Sequence, residues 1–363
     1  MSVTGKKTIA NRNTVVILTS NYDAGILQFA VQMKKEFNKL FNRVILFVPS
    51  IADCDGHDIE SYLRKNSINP FSLQYHRIAR RIMELGPDLV FVCDTNLITS
   101  RIAVALKKSI PVYTVVHDVD AHPHYGSFFS TIKSVLKKPY INIALQKCDR
   151  VVMLSKNSLD VFARKNPKMA GKCVMLRLGA HVPDTEEEKP QEVDEGNQYI
   201  LFFGRMDKYK GIINLLQAYE IKKEEISQKI VIAGKGTLTS EEQSIISKYP
   251  KTITLLKRYI SDGEMIWLFK HASCTVLPYI EASQSGVLSM SYRFGKPVIV
   301  SDLQGLTEFV QDEKTGFVFH SLENLAELLI TVPLKSETMK EDISRYYVRE
   351  LDWSNNLERI LNE

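Results

Sequence analysis

Short apolar runs rich in Val, Ile, Leu and Phe recur along this chain, each followed by a stretch with helical periodicity. In the first half they are Val15 to Leu18, Val44 to Val48, Leu89 to Cys93, Val112 to Val116, Arg150 to Leu154 and Cys173 to Leu176. In the second half the clearest are Tyr199 to Phe203, Ile253 to Leu256, Cys274 to Leu277 and Val298 to Val300. Continuous rather than alternating apolar runs belong to strands covered on both faces, and their alternation with helices predicts an α/β fold with two parallel-sheet domains. Between Pro183 and Gln198 the pattern gives way to acidic, polar residues with few core formers, which predicts a linker. The expected domains are therefore 1–182 and 199–340, joined by 183–198, with a last segment of helical pattern over 341–363.

A chain of 363 residues that is 44% hydrophobic can bury two cores. No apolar run approaches the length of a membrane span, and the start Met1-Ser-Val-Thr-Gly-Lys-Lys7 lacks the apolar stretch of a signal peptide, so a cytoplasmic location is expected. The five cysteines Cys54, Cys93, Cys148, Cys173 and Cys274 are odd in number and scattered, and predict neither a disulfide framework nor a zinc site.

Charge changes the picture. Residues 1–180 hold 26 Lys and Arg against 13 Asp and Glu, whereas residues 181–363 hold 21 against 29. The basic half calls for an acidic partner. No nucleic-acid recognition motif accompanies the charge, so nucleic acid is not expected. Phe128 to Ile143 mixes aromatic, aliphatic and lysine residues; it reads either as an interfacial helix at an anionic membrane or as a core helix with a lysine-rich solvent face.

The richest chemistry lies in Tyr279-Ile-Glu-Ala-Ser-Gln-Ser-Gly286, where Glu281 follows a predicted strand and a helix is predicted over Ser285 to Phe294. The first amides of that helix, at Ser285, Gly286 and Val287, have no intrahelical acceptor, and Gly286 leaves room for an anion. A second motif, Phe203-Gly-Arg-Met-Asp-Lys-Tyr-Lys-Gly-Ile212, sets Arg205 and Lys210 in one strand-to-helix turn between Gly204 and Gly211. A planar guanidinium and a mobile ammonium on one loop can grip both phosphates of a diphosphate. In the first half, Val116-His-Asp-Val-Asp-Ala-His-Pro-His-Tyr-Gly126 places His117 at the carboxyl end of a strand, where α/β crevices open. Its irregular spacing argues against a metal site.

Taken together, Gly204-Arg205 with Lys210-Gly211, Ile232-Ala-Gly-Lys-Gly236, and Glu281 with Gly295-Lys-Pro-Val298 resemble the carboxyl-terminal domain of family 4 glycosyltransferases. The resemblance is specific over Tyr199 to Phe319 and holds by pattern elsewhere. It implies the GT-B fold: two Rossmann-like parallel-sheet domains facing across a cleft, with a carboxyl-terminal helix crossing back to the first. It also implies that Arg205 and Lys210 bind the diphosphate of a nucleotide-sugar donor and that Glu281 lies against the sugar. Gly234 and the amides at Ser285, Gly286 and Val287 would assist, and Arg258, Tyr259 and Ile260 would pack near the base.

His117 and Asp118 correspond to a His-Asp pair facing the sugar and the acceptor; His122 and His124 would line the acceptor path. Ser20-Asn-Tyr-Asp-Ala-Gly25 stands in place of a glycine-rich acceptor loop, with only Gly25 kept. Catalytic roles would fall to His117, Glu281, Arg205 and Lys210. Two departures stand out: the second Glu of the family, at the ribose, is Ser289 here, and a usual Gly is Gln284.

The implied activity is retaining transfer of a hexose-type sugar from a UDP- or GDP-sugar to a hydroxyl of a glycan or lipid-linked acceptor, in cell-surface polysaccharide synthesis. No cofactor or protein-bound metal is expected, and the basic domain is expected to touch an anionic membrane. A GT-B-like sugar-nucleotide epimerase and a non-catalytic partner subunit of another transferase are the alternatives.

Overall fold

A computed structural model of the chain describes residues 12–21, 24–49, 67–68, 75–106, 110–117, 139–194, 196 and 198–363. The chain divides into two compact units, one comprising Met1–Arg177 with Trp353–Glu363 and the other Leu178–Asp352.

The first unit is built on seven parallel strands: β1 (Thr14–Leu18), β2 (Arg43–Pro49), β3 (Ser67–Ile68), β4 (Leu89–Val92), β5 (Val112–Val116), β6 (Arg150–Met153) and β7 (Cys173–Met175). Their order is β3-β2-β1-β4-β5-β6-β7. Successive side chains of a strand point to opposite faces, yet every residue of β4 and β5 is buried, so both faces of this sheet are covered. That is the physical content of the unbroken apolar runs. The two-residue strand β3 is too short to leave a period in the sequence.

The second unit carries six parallel strands: β8 (Tyr199–Phe203), β9 (Lys229–Gly234), β10 (Ile253–Lys257), β11 (Ala272–Leu277), β12 (Val298–Ser301) and β13 (Gly316–Phe319). The order β10-β9-β8-β11-β12-β13 makes β8 the turning point, with later strands added first on one side and then on the other. Ligands of open α/β sheets bind outside the carboxyl ends of the strands at such a reversal.

Two expected boundaries move. The acidic stretch after Pro183 is no free linker but a strap on the second unit. The Glu188 amide donates to the Gly263 carbonyl at 3.0 Å, Glu187 meets Lys270 at 2.8 Å, and Val193 is buried in the core. Acids that looked solvated in sequence find basic partners on the sheet and helix beside them. At the other end, the helix Leu322–Tyr346 runs past residue 340 and into a π-helical turn, Tyr347–Leu351, still within the second unit.

The return to the first unit begins only at Trp353. The helix Trp353–Asn362 lies there, with the Trp353 ring 5.8 Å from that of Phe29 and the Ser354 hydroxyl donating to Glu36 at 2.7 Å. Among the described residues no helix is long and apolar enough to cross a membrane.

Candidate functional site

Two crossings of the second sheet interlock at the carboxyl ends of β8 and β11. Gly211 has φ 64°, and a Cβ there would sit 1.9 Å from the Pro278 carbonyl oxygen, so only glycine lets the β8 loop press against the β11 loop. The Asn214 amide donates to that same carbonyl at 3.1 Å, and the Ile280 amide donates to Tyr209 at 2.8 Å. On the other side, a Cβ on Gly234 would come 1.9 Å from the Gly204 carbonyl oxygen, which brings the β9 crossing equally close. Gly204 in turn faces the Val287 side chain at 3.8 Å, measured from the position of a Cβ. Gly204, Gly234, Lys210, Glu281 and Val287 thus belong to one cluster of loops.

Lys210 is partly buried, its Nζ 3.7 Å from the ring centre of Tyr279 and 5.1 Å from that of Tyr209. Burial pushes its ammonium down to about 8; the Asp207 carboxylate opposes this shift and the Arg205 cation adds to it. The electron-rich face of Tyr279 partly replaces the lost water. Arg205 is the opposite case: its side chain is 78% exposed and its Nε meets Asp207 at 3.0 Å. An open groove of about 610 Å³ runs beside it, lined by Asp207, Lys208, Lys235 and Thr237 among others.

Glu281 is exposed two residues beyond Tyr279. The helix Gly286–Arg293 follows, and its N-cap, Ser285, makes no side-chain capping bond; the Ser285 hydroxyl lies 3.3 Å from the Tyr279 hydroxyl instead. Thr239 and Ser261, by contrast, close capping boxes on their helices. Gly286 is exposed at the helix start.

Three expected ligand residues are otherwise engaged. The Arg258 guanidinium is held by two carboxylates, Glu264 at 2.7 and 2.8 Å and Glu192 at 2.8 and 2.9 Å. These bonds raise the basicity of Arg258 and hold both carboxyls below their usual range. Arg258 is a strut that clips the acidic strap to the unit, its planar fork meeting the carboxylates of Glu192 and Glu264. Ile260 is buried in the core, which leaves Tyr259, 61% exposed, as the accessible side chain of that trio.

Ser289 is 2% exposed, and its hydroxyl donates to the Leu178 carbonyl at 2.5 Å. It is packed within the unit rather than presented to a ligand.

In the first unit, His117 Nε2 lies 2.8 Å from the Cys93 carbonyl oxygen, which puts the proton on Nε2, and the ring packs edge-on against Phe29 at 5.2 Å. Gly25 is exposed at the start of the helix Ala24–Phe37. Asp118, His122 and His124 lie outside the described residues, as do Tyr22 and Asp23 and most of Phe128 to Ile143.

Sequence reasoning missed Asp94. This buried carboxylate accepts from the Thr19 and Thr99 hydroxyls at 2.8 and 2.6 Å and from the Ser20 and Asn21 amides at 3.0 and 3.1 Å, so it ties down the loop after β1. The available signal was an acid directly after the apolar run Leu89 to Cys93.

Two family models match the chain: Glycosyltransferase Family 4 over residues 24–176 and Glycosyl transferases group 1 over residues 183–347. The chain is a family-4-like glycosyltransferase of the GT-B type.

Among curated relatives, an uncharacterized glycosyltransferase of Methanocaldococcus jannaschii is 28% identical over 127 residues, 34% of this chain and 32% of that protein, so the match spans about a third of each. The Campylobacter jejuni N-acetylgalactosamine-N,N'-diacetylbacillosaminyl-diphospho-undecaprenol 4-alpha-N-acetylgalactosaminyltransferase is 23% identical and covers 74% of this chain and 73% of its own. Among solved structures, Anabaena HepE in complex with UDP and glucose aligns over 96% of this chain and 98% of its own, at 14% identity and a TM-score of 0.66, which is a likeness of fold.

Proposed function

We propose that this glycosyltransferase moves a sugar, with retention, from a UDP- or GDP-sugar to a hydroxyl of a glycan or lipid-linked acceptor, in the synthesis of cell-surface polysaccharide. The observation that carries this reading is the convergence of Arg205 and Lys210, after β8, with Glu281 and an uncapped helix start, after β11, at the turning point of the second sheet. Arg205 and Lys210 receive the negative charge that grows on the departing diphosphate, and the amides at Gly286 and Val287 add to it. Glu281, exposed and uncommitted to the core, orients the sugar hydroxyls.

Two relatives support the substrate classes: one is named for transfer to a diphospho-undecaprenol-linked sugar, and the other was solved with UDP and glucose. In the first unit, His117 serves the acceptor side.

An anionic membrane carrying that acceptor would meet the helix Tyr75–Glu84, which exposes His76, Arg77, Arg80 and Arg81. Beside it Arg101 stacks between the rings of Tyr75 and Tyr140, at 5.3 and 4.8 Å. A non-catalytic partner subunit is a second reading, favoured only by the packed hydroxyl of Ser289.

The deciding experiment is a thermal-shift screen against UDP- and GDP-sugars, followed by turnover of the stabilising donor with and without a lipid-linked acceptor. Stabilisation with acceptor-dependent release of nucleotide is expected. Turnover of the donor alone would mark an epimerase instead, and binding without turnover would favour the partner subunit.

A further inference from the structure

His117 is half-buried just beyond β5, and the bond between its Nε2 and the Cys93 carbonyl fixes one corner of the imidazole. It does not fix the plane of the ring, because the outer torsion of a histidine side chain has broad minima. A second contact is needed for that.

Phe29 supplies it. Its ring meets the imidazole at 5.2 Å between centres with the two planes 82° apart, the edge-to-face geometry that aromatic pairs favour. Phe29 meets a third ring, that of Trp353, at 5.8 Å and 69°. Phe29 and Trp353 are 6% and 4% exposed, and in such close packing a shift of the indole is passed to the phenyl ring.

The helix that carries Phe29 is fastened at a second point. Phe29, Gln32 and Glu36 share one face of Ala24–Phe37, at the spacing of successive helical turns. The buried Glu36 carboxylate accepts from Gln32, Lys39 and the Ser354 hydroxyl, each at 2.7 Å. Trp353 and Ser354, neighbours in sequence, therefore grip this face two turns apart, one with a ring and the other with a hydroxyl. A helix held at two points does not roll, so Phe29 stays against the imidazole.

We propose that Trp353 is a positioning residue of the transfer reaction and sets, through Phe29, the plane of the His117 ring. The proposal rests on the acceptor-side role given to His117 above and adds a residue remote from it in sequence. Trp353 is the first residue of the segment that rejoins the first unit after Asp352. An aliphatic side chain could cover Phe29, but only a ring imposes an orientation on it.

The test is NMR of isotope-labelled histidine rings in the full chain, together with turnover of the stabilising donor and the lipid-linked acceptor. His76, on the helix Tyr75–Glu84 of the same unit, is the control for folding. In Trp353→Leu the His117 signals, identified by their loss in His117→Gln, should shift while those of His76 stay. Turnover should fall about tenfold with the donor KM within about twofold of wild type. Trp353→Phe keeps a ring and should restore turnover to within about threefold of wild type.

A residue that acts through His117 has nothing further to lose once His117 is gone. His117→Gln combined with Trp353→Leu should thus be no slower than His117→Gln alone. Unmoved His117 signals in Trp353→Leu, or a double variant in which the two single losses multiply, overturn the role of Trp353. Should Trp353→Leu also disturb His76, Phe29→Leu removes the middle ring alone and decides by the same comparison. If His117→Gln keeps wild-type turnover, or the wild type has none, the acceptor-side reading falls and this inference with it.

Discussion

Lys210 holds its ammonium 3.7 Å from the ring centre of Tyr279, so a cation from the β8 crossing rests on an aromatic face from the β11 crossing. The contact joins the proposed phosphate-binding and sugar-binding loops. It also leaves Lys210 short of water, with its ionisation lowered to about 8.

Diphosphate affinity should therefore depend on pH. An anion bound beside Lys210 favours its charged form, so the bound group titrates above the free one. Affinity is then greatest below pH 8 and falls as the pH rises through about 8, with proton uptake on binding in that range. Calorimetry in buffers of different ionisation enthalpy measures the uptake directly, and Lys210→Met should abolish it.

Arg205→Ala and Lys210→Ala should each slow transfer on the order of a hundredfold. They should differ in stability. Arg205 is mostly exposed, so its removal leaves the melting temperature unchanged, whereas Lys210→Met removes a partly desolvated charge and should raise the stability of the unliganded protein. Steady-state kinetics and thermal unfolding on the same preparations separate the two effects.

Ser289→Glu would not restore a ribose contact. The position is 2% exposed with its hydroxyl on the Leu178 carbonyl, so a glutamate would bring a charge and extra volume into a closed space. A loss of about 3 kcal/mol or more is expected in urea unfolding, with no gain in nucleotide affinity. Ser289→Ala should cost about 1 kcal/mol, the worth of one hydrogen bond.

The Arg258 strut makes the second unit sensitive to acid. Glu264 and Glu192 titrate below their usual range when folded, so their contribution is present above the ordinary carboxylate pKa and is lost as the pH falls through the folded value. Arg258→Met should cost about 1–2 kcal/mol at neutral pH and flatten the acid limb of a melting-temperature profile. If the profile keeps its slope, Arg258 is not what holds those carboxyls down.

Binding to liposomes of anionic lipid should exceed binding to neutral ones at low salt and weaken as salt rises, since charges separated by more than about 10 Å are screened at 0.1 M. Reversing Arg77, Arg80 and Arg81 to glutamate should remove the difference in sedimentation. Equal binding to both lipids would leave those arginines as a solvated face.

Residues close in sequence made most of the second unit legible. The apolar runs marked the strands, and Arg205, Lys210 and Glu281 stand within a few residues of strand ends that the same runs define. Glycine spacing was readable for a related reason, since Gly211 and Gly234 stand where two crossings touch too closely for a Cβ. The roles of Arg258 and Ser289 were not readable. Whether an arginine meets a ligand or two carboxylates depends on Glu192, 66 residues away, and whether a serine faces a ribose or a carbonyl depends on Leu178, 111 residues away.

Sequence alone determined the alternation of strands and helices, because burying a strand on both faces demands an unbroken apolar run wherever it occurs. Tertiary structure decided which polar groups are already satisfied, because hydrogen-bond partners are chosen by proximity in space. It closed the acidic strap onto Arg258 and Gly263, lodged Ser289 against Leu178, and fixed the loop after β1 through Asp94.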